Sequence, residues 1–440
     1  MERNEAKKKL LDSYGLKEDN PMDLLTDTNA QAKQYSKKQP FFYDKSRIWW
    51  LWNSEEFYWE VVDEIDILNM IQDSTGADTI SQGTKNKILN ALKQNGRRNL
   101  PKSIKPTWIQ FKNKIYDIET EEIFDASPEY FVTNPIPWKA SSDASTPIMD
   151  KIFTEWVGKE YVDTLYEVLS YCLIPDYPIH RIFCFIGEGM NGKSKFLELL
   201  RRFIGGSNCC STELDTLLQS RFEVTRLHKK LVCQMGETNF NEMSKTSIIK
   251  KLSGGDLIGY EYKNKDPFEE KNYAKILIAT NNLPTTTDKT IGFYRRWLIL
   301  DFPNRFTEKK DILAEIPDEE YNNLATKCMF KLKELLVKRS FHNEGDVEAR
   351  MERYEFKSNF LETFINSSTR NEGDGYITNR DFFNKFCSWS LDNKHRKMSE
   401  VAVAKAMKKL GYETSKRYFN WMFDGKGGQT RVWGGISWDL

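Results

Sequence analysis

No run of about 18 apolar residues occurs anywhere in the 440-residue chain, so no segment is suited to cross a bilayer as a helix. The opening MERNEAKKKLLDSYGLKEDN is charged but has no apolar stretch behind it, which excludes a secretory signal there. Cysteine is sparse and unpatterned. The seven (Cys172, Cys184, Cys209, Cys210, Cys233, Cys328 and Cys387) are odd in number, contain no C-x-x-C pair, and include an adjacent pair poorly placed to share a zinc ion or an ordinary disulfide. They read as reduced thiols of a soluble, unexported, cytoplasmic protein with no membrane partner. An excess of one charge is also missing. With 65 basic against 64 acidic residues the net charge is +1, so only local clustering can speak for or against nucleic acid. No internal repeat is evident.

A hydrophobic fraction of 39%, with 13% aromatic and 29% charged residues, suits a folded chain rather than a disordered one. Its length leaves room for roughly two to four domains. Residues 1–45 read as a polar, flexible segment. From Ile48 the wording turns aromatic: IWWLWNSEEFYWEV predicts a hairpin broken at Asn53–Ser54, helices follow around Val61–Ile71 and Lys85–Leu92, and WIQFKNKIYDIETEEIF predicts a second hairpin. Residues 46–148 thus form one α+β module. A helical collar is expected over 149–178, closed by Pro175 and Pro178. Over 179–308 short apolar strands alternate with helices, which predicts a mostly parallel sheet covered on both faces, an α/β class. Residues 309–350 are helical again, and 351–440 carry helices followed by two strands.

The strongest chemical motif is GEGMNGKS at Gly187–Ser194, which matches G-x-x-x-x-G-K-[ST] directly after an apolar strand and at the start of a helix. Gly187, Gly189 and Gly192, with Asn191 in the same loop, can bring backbone N–H groups to phosphate oxygens. Lys193 can reach the β and γ phosphates, and the Ser194 hydroxyl can bind magnesium. ATP and Mg2+ are the expected cofactors. A P-loop that hydrolyses also needs a carboxylate beside it. Glu237, just past the strand Leu231–Met235, is the candidate for catalysis and for the metal; an ordinary loop acid is the alternative. In KILIATNNLP, Asn281 can orient water or sense the γ-phosphate, or simply form a turn with Asn282. Arg295 and Arg296 precede the strand of WLILDF, where a guanidinium could reach a neighbouring subunit's nucleotide; surface pairing with acids is the alternative.

These motifs, in this order and with SGGDLIGYEYKNKDPF between them, resemble the superfamily 3 helicases, specifically the phage, plasmid and poxvirus primase-associated branch. The resemblance runs from about residue 46 and includes FKNKIYDIETEEI and YFVTNPIPW ahead of the motor. It implies an AAA+ P-loop ATPase core in a hexameric ring that draws single-stranded DNA through its centre with 3′→5′ polarity. Carried over are Lys193 and Ser194, Glu237 as catalytic acid, Asn281 as polar sensor and Arg296 as the preferred arginine finger, with Arg295 second. Many members have two adjacent acids where this chain has Gly236 and Glu237. The stretch with Tyr262, Lys263 and Lys265 looks like the family's central hairpin, where lysines would meet phosphates and an aromatic would pack on sugar or base.

Residues 376–440 read as a winged helix-turn-helix, with a helix from Asn379, a second after the cap candidate Ser399, and a wing. Lys405, Lys408 and Lys409 lie on the second helix, and Lys416, Arg417, Lys426 and Arg431 on the wing. Residues 371–440 hold 12 basic and 8 acidic side chains, an excess of four against one for the whole chain. This suits binding of duplex origin DNA, although a winged helix used only for packing has the same pattern. The expectation is therefore a replicative helicase and origin-binding initiator of a phage, plasmid or mobile element. The alternatives are another P-loop ATPase, such as a packaging motor or phosphotransferase, and a nucleotide-switched DNA-binding protein that does not unwind. No metal-binding acid pair stands out ahead of the collar, so no primer synthesis is expected.

Overall fold

Five short strands carry apolar side chains on both faces, as a sheet covered on both sides requires. The computed structural model describes residues 35–75, 81–236, 242–243, 245–263, 265–307, 311–393, 398–419 and 428–439. It arranges the strands in the order Trp297–Asp301, Ile182–Ile186, Lys275–Thr280, Val232–Met235 and Cys209–Ser211, every neighbouring pair parallel. Phe183, Phe185, Leu277, Leu298 and Leu300 face one core, while Ile182, Cys184, Ile186, Ile276, Ile278 and Ile299 face the other. The chain is thus a mixed α/β protein built on a parallel sheet.

The first face is covered by Lys193–Ile204, which buries Phe196, Leu199, Leu200 and Phe203 at helical spacing. Pro147–Val157, Val162–Tyr171 and Asp318–Lys338 join the same core. The expected collar is two helices rather than one, because Gly158 at φ 82° turns the chain between them. The long helix Asp318–Lys338 lies against Val162–Tyr171, so the collar and the later helical segment form one layer.

On the second face the short helices Leu214–Gln219, Ser247–Leu252 and Ile291–Tyr294 are joined by Tyr354 of the helix Val347–Ser358. Tyr354 donates its hydroxyl to the Pro284 carbonyl at 2.9 Å, and Arg353 pairs with Asp301 at 2.9 Å. That helix belongs to the sheet's layers. The division expected at residue 351 therefore moves to Asn359, after which a separate core begins with Phe360, Phe364, Phe382, Phe386, Met407 and Trp433. It is formed by the helices Phe360–Ser368, Asn379–Asp392 and Glu400–Lys409 and by an antiparallel sheet. The sheet order is Thr369–Thr378, Gly428–Trp438, Thr414–Phe419, and its first strand, TRNEGDGYIT, is too polar and glycine-rich to stand out in sequence. Thr378 and Ser399 cap the two inner helices by accepting from Asp381 N and Ala402 N.

Ahead of the sheet lie two small antiparallel meanders, Phe41–Tyr43, Trp49–Asn53, Tyr58–Val62 and Trp108–Phe111, Lys114–Asp117, Ile123–Asp125, with helices Glu64–Thr75 and Gln82–Gly96. Asn53 Oδ1 accepts from the N–H groups of Glu55 and Glu56 and so makes the first hairpin's turn. Phe41–Tyr43 is wholly buried, so the module starts before residue 46 and takes in part of the segment read as polar and flexible. Among the described residues no helix is long and apolar enough to cross a membrane.

Candidate nucleotide site and basic surfaces

The strand Ile182–Ile186 ends where the loop Gly187–Ser194 begins, and the helix from Lys193 starts immediately after it. Steric limits fix the glycines. A Cβ on Gly187 would stand 2.5 Å from the Phe302 carbonyl oxygen, and one on Gly192, at φ 94°, would stand 2.5 Å from the Trp156 ring. The loop is also tied down from outside: Asn191 Nδ2 donates to Phe302 O at 3.2 Å, and Phe306 N donates to Met190 O at 2.7 Å. Lys193 folds back over this loop, donating to Gly187 O at 2.5 Å, Asn191 Oδ1 at 3.0 Å and Asn281 Oδ1 at 3.3 Å. An ammonium held by neutral oxygens at a helix N-terminus is a ready partner for an anion. Ser194 is exposed on the first turn of that helix.

Asn281 reaches Lys193 because its strand is the immediate neighbour of the P-loop strand, with Thr280 level with Ile186. Glu237 lies outside the described residues; its strand, Val232–Met235, pairs with the other side of the Asn281 strand and ends at the same edge. Gly236 is exposed, and a Cβ there would meet nothing within 4 Å. The two arginines are elsewhere. Trp297 is level with Ile182, which puts Arg295 and Arg296 at the opposite edge of the sheet from the P-loop. Arg296 is only 8% exposed, folds back on the Gly292 carbonyl and leaves a buried Nε without a hydrogen bond, whereas Arg295 is exposed. The preference for Arg296 as a reaching finger is corrected by this burial: of the two, Arg295 has the freedom to extend.

A cleft of about 420 Å³ opens beside the P-loop, lined by Gly187, Glu188, Asn191 and Asn281. Its other walls come from residues that sequence reasoning missed: Asp301 at the end of the strand Trp297–Asp301 and Arg305 beyond it, Lys357, and Leu391 with Asn393. Asp301 is level with Ile186 and is held by Arg353 and by Lys357 at 2.9 Å each. Its position at the end of the other strand flanking the P-loop strand was the available signal. Among the described residues no cluster of three or more His, Cys, Asp or Glu side chains is placed to hold a metal ion, and all seven cysteines are free thiols.

Comparison with known proteins places this geometry. Residues 23–159 match the family model described as D5 N terminal like, and residues 185–296 match a family of unknown function, DUF5906. The chain is 25% identical over 226 residues to "Putative helicase L207/L206" of Acanthamoeba polyphaga mimivirus, covering 48% of this chain and 23% of that protein. It is 27% identical over 230 residues to "Primase D5" of Fowlpox virus (strain NVSL), covering 47% and 28% respectively. The chain is thus similar to primase-helicases of superfamily 3 type. The matches span about a quarter of the length of these two relatives. The apo structure of the NrS-1 C-terminal region is similar over 95% of this chain and 100% of its own, with a TM-score of 0.49 and 13% identity.

The hairpin between the motifs is Leu257–Tyr260 paired with Phe268–Lys271. Lys263 is exposed at its tip and Lys265 is half-buried. Tyr262 is half-buried and tied into the fold rather than free at the tip. Its hydroxyl bonds His228 Nδ1 at 2.8 Å, its ring stacks on Phe268 at 6.2 Å, and both pack on the aromatic N-terminal module. Burial and then the charges of Asp44 and Glu270 push its hydroxyl up to about 12, so it stays protonated and donates to His228. His228 Nε2 in turn faces Glu270 at 2.9 Å. Burial opposes the charge on Glu270, but the bonds from His228 and Lys229 outweigh it and bring the carboxyl down to about 2. Arg47 pairs with Asp266 at 2.9 Å, a further tie between hairpin tip and N-terminal module. In the C-terminal module Lys405, Lys408, Lys416, Arg417 and Arg431 are all exposed, with Lys416 directly opposite Arg431 on paired strands. The Lys409 side chain and Lys426 lie outside the described residues.

Proposed function

We propose that this chain is an ATP-driven DNA helicase motor that assembles as a ring, a hexamer, around single-stranded DNA and unwinds duplex during replication of a phage, plasmid or mobile element. The observation that carries the reading is the convergence of Lys193 and Asn281 over a glycine-shaped loop at the edge of a parallel sheet. That arrangement suits a phosphate chain bound by backbone N–H groups and Lys193, with Asn281 beside the terminal phosphate. Mg2+ would be held by the Ser194 hydroxyl and the Glu237 carboxylate, hard oxygen donors of the kind it prefers, and would supply charge neutralisation on the phosphates.

Because both arginines stand at the far edge of the sheet, neither serves its own subunit's nucleotide in this reading. Arg295 enters the neighbour's site, and Arg296 braces the turn that presents it. Lys263 and Lys265 contact the phosphates of the translocated strand. The C-terminal module, read as a winged helix, binds duplex origin DNA through Lys405 and Lys408 on its second helix and Lys416, Arg417 and Arg431 on its strands. The decisive assay is strand displacement on a forked duplex, with Lys193→Ala as control. DNA-stimulated ATPase and displacement, both lost in the control, are expected; an ATPase indifferent to single-stranded DNA and without displacement would overturn the helicase reading.

A further inference from the structure

The cleft beside the P-loop has two walls of different chemistry. One is formed by Gly187 and Asn191 of the loop that Lys193 folds over, and suits phosphates. At the other stand Leu391 and Asn393, which belong to the C-terminal module with its separate core, and Lys357, from the helix that leads into it. Leu391 is 68% exposed although it is a large apolar residue at the end of a helix whose Phe382 and Phe386 are fully buried. Asn393 is fixed by donating its side-chain amide to Trp389 O at 2.9 Å, and Trp389 packs on Phe356 at a ring separation of 6.0 Å, next to Lys357. An apolar side chain and an anchored amide in one cleft with a phosphate-binding loop are the features by which a site takes a flat, hydrogen-bonding base.

We propose that the nucleoside end of the bound nucleotide is received by Leu391 and Asn393, so that the DNA-binding C-terminal module forms one wall of the nucleotide site. The inference rests on the reading of the cleft as a nucleotide site. The module is joined to the motor at Asn359 and packs around its own core, so the two bodies have a junction at which they can close on a ligand that touches both. Nucleotide binding then restrains the module, and by linkage duplex DNA bound to that module tightens nucleotide binding by the same factor.

The test uses the full chain, a fluorescent ADP analogue and competition by inorganic pyrophosphate, which carries only the phosphate end. Leu391→Asp alters an exposed side chain and is expected to weaken ADP binding about tenfold, with pyrophosphate affinity unchanged. In the wild type, ADP and duplex DNA should raise each other's affinity by one common factor, and that coupling should vanish in Leu391→Asp while duplex binding alone persists. Unchanged ADP affinity and unchanged coupling in Leu391→Asp would overturn this inference and leave the nucleotide site standing. A wild-type chain that binds neither ADP nor pyrophosphate any better than Lys193→Ala overturns the nucleotide reading itself, and this inference with it.

Discussion

Lys193 Nζ lies 3.3 Å from Asn281 Oδ1, a contact made across the ends of two adjacent parallel strands. The separation of the two residues in sequence is large, yet the sheet holds them together because Thr280 and Ile186 are level in register. In the proposed mechanism Asn281 stands where it can sense a terminal phosphate that Lys193 binds. Asn281→Ala is therefore expected to lower ATP turnover by about 10²-fold while ADP affinity changes less than threefold, as for loss of a group that acts mainly in the transition state. Asn281→Asp should behave differently: its carboxylate would pair with the Lys193 ammonium, take the place of the anion, and weaken ADP binding at least tenfold. Equal ADP affinity in the two variants, measured by titration, would count against this placement.

The open space at Gly236 makes a second experiment possible. A Cβ there meets nothing within 4 Å, and the position immediately precedes Glu237, where many superfamily 3 helicases have an additional acid. Gly236→Asp should fold normally and lower the Mg2+ concentration for half-maximal ATPase by about three- to tenfold, since a second hard oxygen ligand is added. Gly192→Ala is the contrasting substitution. Its φ of 94° and the Trp156 ring 2.5 Å from the new methyl group both oppose it, so loss of nucleotide binding and a lower melting temperature are expected.

The strand, loop and helix around Gly187–Ser194 were legible because their pattern sits in eight contiguous residues with an apolar run before and a helical run after. The parallel sheet was legible because strands buried on both faces leave short, uninterrupted apolar runs in the sequence. What could not be read was anything decided by packing at a distance. Whether Arg295 or Arg296 is buried depends on a turn closing against the Gly292 carbonyl, and adjacent arginines look alike in sequence. Tyr262 looked like a free aromatic at a hairpin tip until the fold brought His228 to its hydroxyl. Lys357, Leu391 and Asn393 reach the cleft beside the Gly187–Ser194 loop only through tertiary structure, and no local motif marks them.

The exposure difference between the two arginines separates their mutants. Arg295→Ala should leave the melting temperature nearly unchanged, abolish ATPase in the homogeneous protein, and suppress the ATPase of wild-type subunits when mixed, because a finger acts across the interface. Arg296→Ala removes a buried guanidinium and should lower the melting temperature by several degrees. Mixtures of Arg295→Ala and wild type whose activity falls in simple proportion to dilution would place the finger elsewhere.

Lys275 is a charge out of place, and its pH dependence can be worked out. It is fully buried in the central strand, donates to the Ile174 carbonyl, and lies over the rings of Tyr171 and Tyr177 at 5.1 and 5.9 Å. Burial brings its ammonium from 10.5 down to about 7, with small opposing contributions from Cys172 and Asp176. Since the folded value lies below the unfolded one, the unfolded chain binds the extra proton between pH 7 and 10.5. The penalty is thus complete below pH 7 and fades as pH rises towards 10.5. Lys275→Met, similar in shape and without the charge, should raise the melting temperature at pH 7, with the gain over wild type shrinking steadily as pH approaches 10.5. Paired thermal scans of the two proteins from pH 6 to 10 check this: a gain that grew with pH would reverse the sign argued for Lys275.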